Sequence, residues 1–105
     1  HVRDVVNAII FTMKNFNRLK NNVYNLGLSS ANISKIMLAK KIQKQYKQLS
    51  IKIVTNRKDP DKRDYFVSNK KIETKGFKAK ISLESGISEL IQIFTNDKNK
   101  VINNY

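Results

Sequence analysis

Apolar residues recur along the start of the chain at three- and four-residue steps: Val5, Ile9, Met13 and Phe16, with Val6 and Ile10 beside them. That spacing gathers them on one helical face and predicts a buried helix over residues 4–19, with Asp4 at its start as a cap or dipole partner. Asn21-Asn22 breaks the pattern. Val23 to Leu26 reads as a short strand, and Gly27 with Ser29 and Ser30 as its flexible exit. Ser34 predicts the cap of a second helix running to about Leu49, with Ile33 and Leu38 as a hydrophobic staple and Leu38, Ile42, Tyr46 and Leu49 as its buried face. Ile51 and Ile53 alternate with Lys52 as in a half-buried strand ending near Val54. Residues 55–64 carry no apolar anchor except Pro60, which predicts a loop facing solvent or ligand.

Beyond that loop, Ser68 predicts the start of a two-turn helix with Val67 and Ile72 as its staple, and Gly76 its left-handed stop before Phe77. Phe77, Ala79 and Ile81 alternate with lysines. Ser82 then opens a last helix with Glu84 in its first turn. Its Leu83, Ile87, Leu90, Ile91 and Phe94 form the cleanest amphipathic stripe of the chain. Residues 95–105 are polar and read as a fraying tail.

Composition narrows the chemistry. A chain of 105 residues with 40% hydrophobic content forms one small domain or a piece of a larger one. No apolar run approaches the roughly 20 residues that span a bilayer, and no leader pattern opens the chain, so the expected setting is the cytoplasm, without a membrane partner. Cysteine is absent and histidine occurs once, at His1, which removes thiol chemistry and argues against a metal site. The net charge of +13 suggests polyanion binding. However, 17 of the 21 basic residues are Lys, spread along the chain, and the 13 Asn and 13 Ile point to an A/T-rich coding bias. Since Arg is the residue of bidentate phosphate and guanine recognition, nucleic acid is the disfavoured partner.

One stretch is more specific. Asp59-Pro-Asp-Lys-Arg63-Asp-Tyr65-Phe-Val-Ser68-Asn-Lys-Lys-Ile72 is followed by Gly76-Phe77-Lys78 and Ser82-Leu83-Glu84-Ser85-Gly86-Ile87. With His1-Val2-Arg3-Asp4-Val5 and Val23-Tyr24-Asn25-Leu26-Gly27, it resembles the C-terminal part of NAD-dependent nucleotide-sugar epimerases and dehydratases, the extended short-chain dehydrogenase/reductase family. The resemblance covers nearly all of residues 1–94 and departs from the commoner pattern at Ser68, where many members carry an acidic residue. It implies an α/β fold of about four helices with short strands, the substrate-binding portion over residues 1–94 without the Rossmann core, and a polar tail over 95–105. In the family the loop between the last strand and the short helix contacts the nucleotide and diphosphate of the substrate, commonly through an arginine. Arg63 carries that role over, with Asp61, Lys58 and Arg57 as further substrate-binding candidates. The residue chemistry agrees, because a guanidinium holds two oxygens of a diphosphate in its planar fork. The competing structural reading pairs Arg63 with Asp59, Asp61 or Asp64 across a surface turn.

The catalytic parts of the family are missing from this sequence. Gly27, Gly76 and Gly86 are too far apart for a G-x-G-x-x-G loop. The family's Tyr and Lys four residues later are also absent: Leu28 follows Tyr24 at that distance, Ser50 follows Tyr46, Asn69 follows Tyr65, and Tyr105 is terminal. The expectation is therefore a nucleotide-diphosphate-sugar-binding portion that binds no NAD and catalyses nothing alone. NAD would belong to the whole enzyme, through a coenzyme-binding domain upstream of His1, and the family's usual homodimer would form through helices absent here. The alternatives are a basic nucleic-acid-binding module, or a truncated or split-gene product pairing with a separate coenzyme domain. An exposed apolar patch along Val5, Ile9, Met13 and Val23 would favour the last.

Overall fold

A computed structural model describes residues 1–54 and 66–96. Its elements are α1 (Val2–Lys14), α2 (Phe16–Leu19), a 3-10 turn (Ser29–Ala31), α3 (Lys35–Gln45), α4 (Lys70–Glu73) and α5 (Leu83–Asn96). There is no strand among the described residues, so the expected α/β class is corrected to a helical one. The physical reason lies in pairing. Alternation makes a segment suitable for a sheet, but a strand exists only where a second backbone offers a ladder. Near Val23 to Leu26 the described partners are side chains: Lys71 Nζ donates to the Val23 carbonyl at 2.9 Å, and Asn25 Nδ2 to the Ser68 carbonyl at 3.3 Å. Ile51 to Val54 likewise have no helical or strand assignment, and Ile53 is exposed.

The chain divides into two compact units, residues 1–32 with 59–83, and residues 33–58 with 84–105. In the first, buried Ala8, Ile72 and Phe77 form the core with Phe11 and Tyr24 against them, and the Phe11 and Phe77 rings lie 5.5 Å apart at a tilt of 47°. α1 begins two residues earlier than its apolar spacing predicts. Its cap is His1, whose Nδ1 accepts from the Arg3 N–H at 3.1 Å. It stops at Asn15, whose Nδ2 donates to the Phe11 carbonyl at 2.8 Å, and α2 follows as a single turn. Asn21, at φ 60°, then reverses the chain in a left-handed conformation that Asn tolerates better than most residues.

The orientation of α1 is the second correction. The predicted buried face is the exposed one: Val5, Val6, Ile9, Ile10, Met13 and Phe16 are all exposed, and Asp4 and Ala8 are buried instead. At about 100° per residue the exposed apolar positions from Val5 round to Ile10 sweep about 140° of the helix. α1 therefore has contacts on its less apolar side and a bare apolar stripe on the other.

In the second unit, Ser34 caps α3 as expected, its Oγ accepting from the Met37 N–H at 3.3 Å. α3 ends at Gln45, earlier than Leu49. Ile42, Tyr46 and Leu49 are half-buried, while Leu38 is exposed. Lys41 Nζ forms an ion pair with Glu84, and Gln45 Nε2 donates to the Glu84 carbonyl at 3.0 Å. The Lys41 hydrogen bond holds the Glu84 carboxyl below its usual range. Along α5, Ile87 is buried and Leu90 and Phe94 are exposed.

Candidate functional site

Four residues carry the predicted substrate contact: Arg57, Lys58, Asp61 and Arg63. All four lie outside the described residues, as do Tyr65 and the acids proposed to pair with Arg63. What the structure does describe is the chain that follows them, from Phe66 onward.

The exit is clamped by asparagines. Asn32 Oδ1 accepts from the Val67 N–H at 3.0 Å while Asn32 Nδ2 donates to the Val67 carbonyl at 3.0 Å. One side chain thus satisfies both backbone groups of Val67, the exchange that a neighbouring strand residue would otherwise make. Asn25 adds the bond to the Ser68 carbonyl, and Ser68 Oγ accepts from the Lys70 N–H at 3.4 Å, within the first turn of α4. Phe66, just ahead of the clamp, is 84% exposed.

Beneath the clamp lies a buried polar chain. Asn69 is only 3% exposed; its Nδ2 donates to Ser29 Oγ at 3.2 Å, and that hydroxyl donates to Glu73 Oε1 at 2.6 Å. A Cβ at Gly27 would lie 3.4 Å from both polar atoms of Asn69, at the near edge of ordinary contact, so Gly27 and Asn69 pack closely. Asn69 Oδ1 and Tyr24 Oη are buried and have no hydrogen-bond partner among the described residues. Lys71 Nζ sits 5.0 Å from the centre of the Tyr24 ring, a cation–π distance.

α4 is shorter than the two turns expected, but its stop is as expected: Gly76 has φ 100°, with Gly76 N–H bonding to the Glu73 carbonyl and Phe77 N–H to the Ile72 carbonyl. The segment after it is fixed by Asp4. This carboxylate, 5% exposed, accepts from the Lys80 N–H through Oδ1 at 3.1 Å and from the Ile81 N–H through Oδ2 at 3.0 Å. Burial alone would raise its pKa, but the amides of Ile81 and Lys80, with the Lys80 charge, outweigh that and hold it below the ordinary value. Asp4 is therefore a tie across 76 residues of sequence rather than the helix cap that its position suggests.

Among the described residues, concavities accompany these features. A groove of about 350 Å³ runs along the apolar side of α1, between Ile9, Met13 and Phe16 and the segment of Tyr24 and Leu26. A cleft of about 550 Å³ lies on the other flank of α1, against residues 76–81. In the second unit, an almost wholly apolar cleft of about 270 Å³ opens among Ile42, Tyr46, Leu90 and Phe94. Among the described residues no group of three His, Asp or Glu side chains could hold a metal ion, and no helix is long and apolar enough to cross a membrane.

Sequence reasoning gave Asn25 a backbone hydrogen bond, which it makes to Ser68, but missed Asp4 as a tie, Asn32 as the holder of Val67 and Asn69 as a buried polar residue. A usable signal was present in the residue type: an Asn side chain carries both a donor and an acceptor and can pair with a backbone residue where no strand does. No protein-family model matches this chain.

Proposed function

We propose that this chain is the nucleotide-sugar-binding portion of an NAD-dependent nucleotide-sugar epimerase or dehydratase, competent only when a coenzyme-binding domain covers α1. The observation that carries the reading is the bare stripe on α1; with the exposed Val23 it is the patch expected of a chain that pairs with a separate coenzyme domain. Met13 is 71% exposed, Ile9 56% and Val23 85%. Stripes of this extent on small proteins mark surfaces that another body covers. The clamp on Val67 and Ser68 is the second support, because a loop that grips a diphosphate needs a fixed root.

The residues present do not suit NAD. Three scattered glycines provide no phosphate-cradling turn, and no tyrosine has its lysine. The contribution of this chain is to bind. Arg63 would grip the diphosphate, and the affinity for this remote part of the substrate would orient the sugar for reaction elsewhere.

Calorimetry of the chain with uridine, thymidine, guanosine and cytidine diphosphosugars is the direct test. One of them should bind saturably, Arg63→Ala should weaken it by about tenfold or more, and the chain alone should show neither turnover nor NAD binding. Equal heats for wild type and Arg63→Ala would remove Arg63 from the site, and epimerase activity or NAD binding by the chain alone would refute the division of labour.

A further inference from the structure

The 550 Å³ cleft on the Asn7 and Lys14 flank of α1 shares only Ile10 with the bare stripe. We propose that it binds a small organic anion, a phosphate carried on a flat apolar body, with the nucleoside monophosphates as the class that fits. Three observations converge on it. The volume lies within the range of small-molecule sites. Lys14, Lys78 and Lys80 line it, whereas Asp4 is the one acidic residue among those lining it. Asp4 stays ionised, and its charge is partly offset by the two backbone amides it accepts, so three lysines against one carboxylate leave the lining positive. The third observation is the apolar wall: Phe11 and Phe77 line the same cleft, paired ring to ring.

Local structure explains the arrangement. Positions 7, 11 and 14 share one face of α1 at helical spacing. In the segment after Gly76, alternation buries Phe77 and Ala79 and leaves Lys78 and Lys80 exposed together. The lysines supply mobile ammonium donors for phosphate, the half-buried Phe11 with Ile10 and Ile81 an apolar surface for a base, and the exposed Asn7 amide a donor and an acceptor for sugar hydroxyls or base edges. Covering the stripe from Val5 to Met13 would leave Asn7, Lys14 and the lysines beyond Gly76 accessible, so the site is compatible with the proposed function without resting on it.

Amide-resolved NMR titration of the full chain with UMP, AMP and inorganic phosphate tests the assignment. Saturable shifts should centre on Asn7, Lys14, Gly76 and Lys78 and saturate below about 5 mM nucleotide. Lys14→Gln/Lys78→Gln should weaken them by about tenfold, with the fold checked by circular dichroism, while Arg63→Ala leaves them unchanged. Absence of saturable shifts at these amides overturns the proposal, as does equal weakening by Lys40→Gln/Lys44→Gln in the other unit. Inorganic phosphate binding as tightly as UMP would overturn the role of the apolar wall. Tighter binding of oligo-dT than of UMP, with a steep salt dependence, would replace the small anion with a polynucleotide. Loss on Arg63→Ala alone would return the ligand to the loop and leave this cleft without one.

Discussion

Substituting Asp4 tests the tie that fixes the end of the first unit. The carboxylate is almost fully buried and accepts two backbone amides, Lys80 at 3.1 Å and Ile81 at 3.0 Å. A hydrogen bond to a charged group contributes about 1.5–3 kcal/mol, and a buried donor left without a partner costs a similar amount. Asp4→Ala removes both acceptors; because Lys80 is exposed, water can replace part of them, and the expected loss is about 3 kcal/mol. Asp4→Asn keeps one acceptor and turns an N–H toward the other amide, so about 2 kcal/mol is expected. Against the roughly 5–10 kcal/mol of a small domain, either loss is plain in urea unfolding followed by far-UV circular dichroism, read at constant m. The pH dependence supplies a second readout. The native pKa lies below the ordinary 3.8, so the stabilisation is complete above that value and is lost as pH falls through the depressed native pKa. Asp4→Asn should flatten that acid limb. A loss under about 1 kcal/mol for Asp4→Ala, or identical acid limbs for wild type and Asp4→Asn, would refute the reasoning.

Asn32→Ala removes both halves of the Val67 clamp and, on a partly solvated site, should cost about 1 kcal/mol and speed hydrogen exchange at the Val67 amide; unchanged exchange there would discount the clamp. Gly76→Ala should cost about 1–2 kcal/mol, all from the backbone, since the added Cβ would meet Phe11 Cζ at an ordinary 3.9 Å; a neutral result would mean that the turn relaxes. Ile9→Lys/Met13→Glu should leave the stability of the chain within about 0.5 kcal/mol and raise its solubility, because both positions already face solvent. The same double variant should abolish complementation by a coenzyme-binding domain in an epimerase or dehydratase assay, and retained complementation would place the covering surface elsewhere.

What could be read in the sequence was local. The Ser34 cap, the Gly76 stop and the placement of the last helix each depend on residues within a turn of one another, and all three are present. The strands at Val23 and Ile51 were misread because alternation carries no information about a pairing partner. α1 fails for a related reason. Its periodicity locates the apolar side correctly but does not say which side finds a neighbour, and only the position of the Lys80 and Ile81 amides makes Asp4 the buried residue. Asn32 was hidden by number, since a surplus that reads as coding bias conceals the one that holds both backbone groups of Val67. Arg57, Lys58, Asp61 and Arg63 lie outside the described residues, so the proposed site rests on the sequence alone, while the bonds to Val67 and Ser68 rest on the structure.

The size of the α1 stripe bears on how a covering domain would be attached. Burying a Val, Ile, Met or Phe side chain completely is worth about 1.5–3 kcal/mol. The six exposed side chains from Val5 to Phe16 are roughly half exposed already, so covering them gains on the order of 6 kcal/mol. Bringing together two separate bodies costs an estimated 4–15 kcal/mol, so this stripe alone would hold a separate domain only weakly. A domain joined through the same polypeptide avoids most of that cost, because its effective concentration is already in the millimolar range or above. The same 6 kcal/mol then approaches the full stability of a small domain. The split-gene arrangement consequently demands further contact surface, for which the groove beside Tyr24 and Leu26 is the neighbouring apolar ground and Val23 a further exposed apolar side chain. Mixing the chain with a separate coenzyme-binding domain discriminates the two: submicromolar association lost on Val23→Lys supports a split enzyme, whereas association only above about 100 µM supports a single covalent chain.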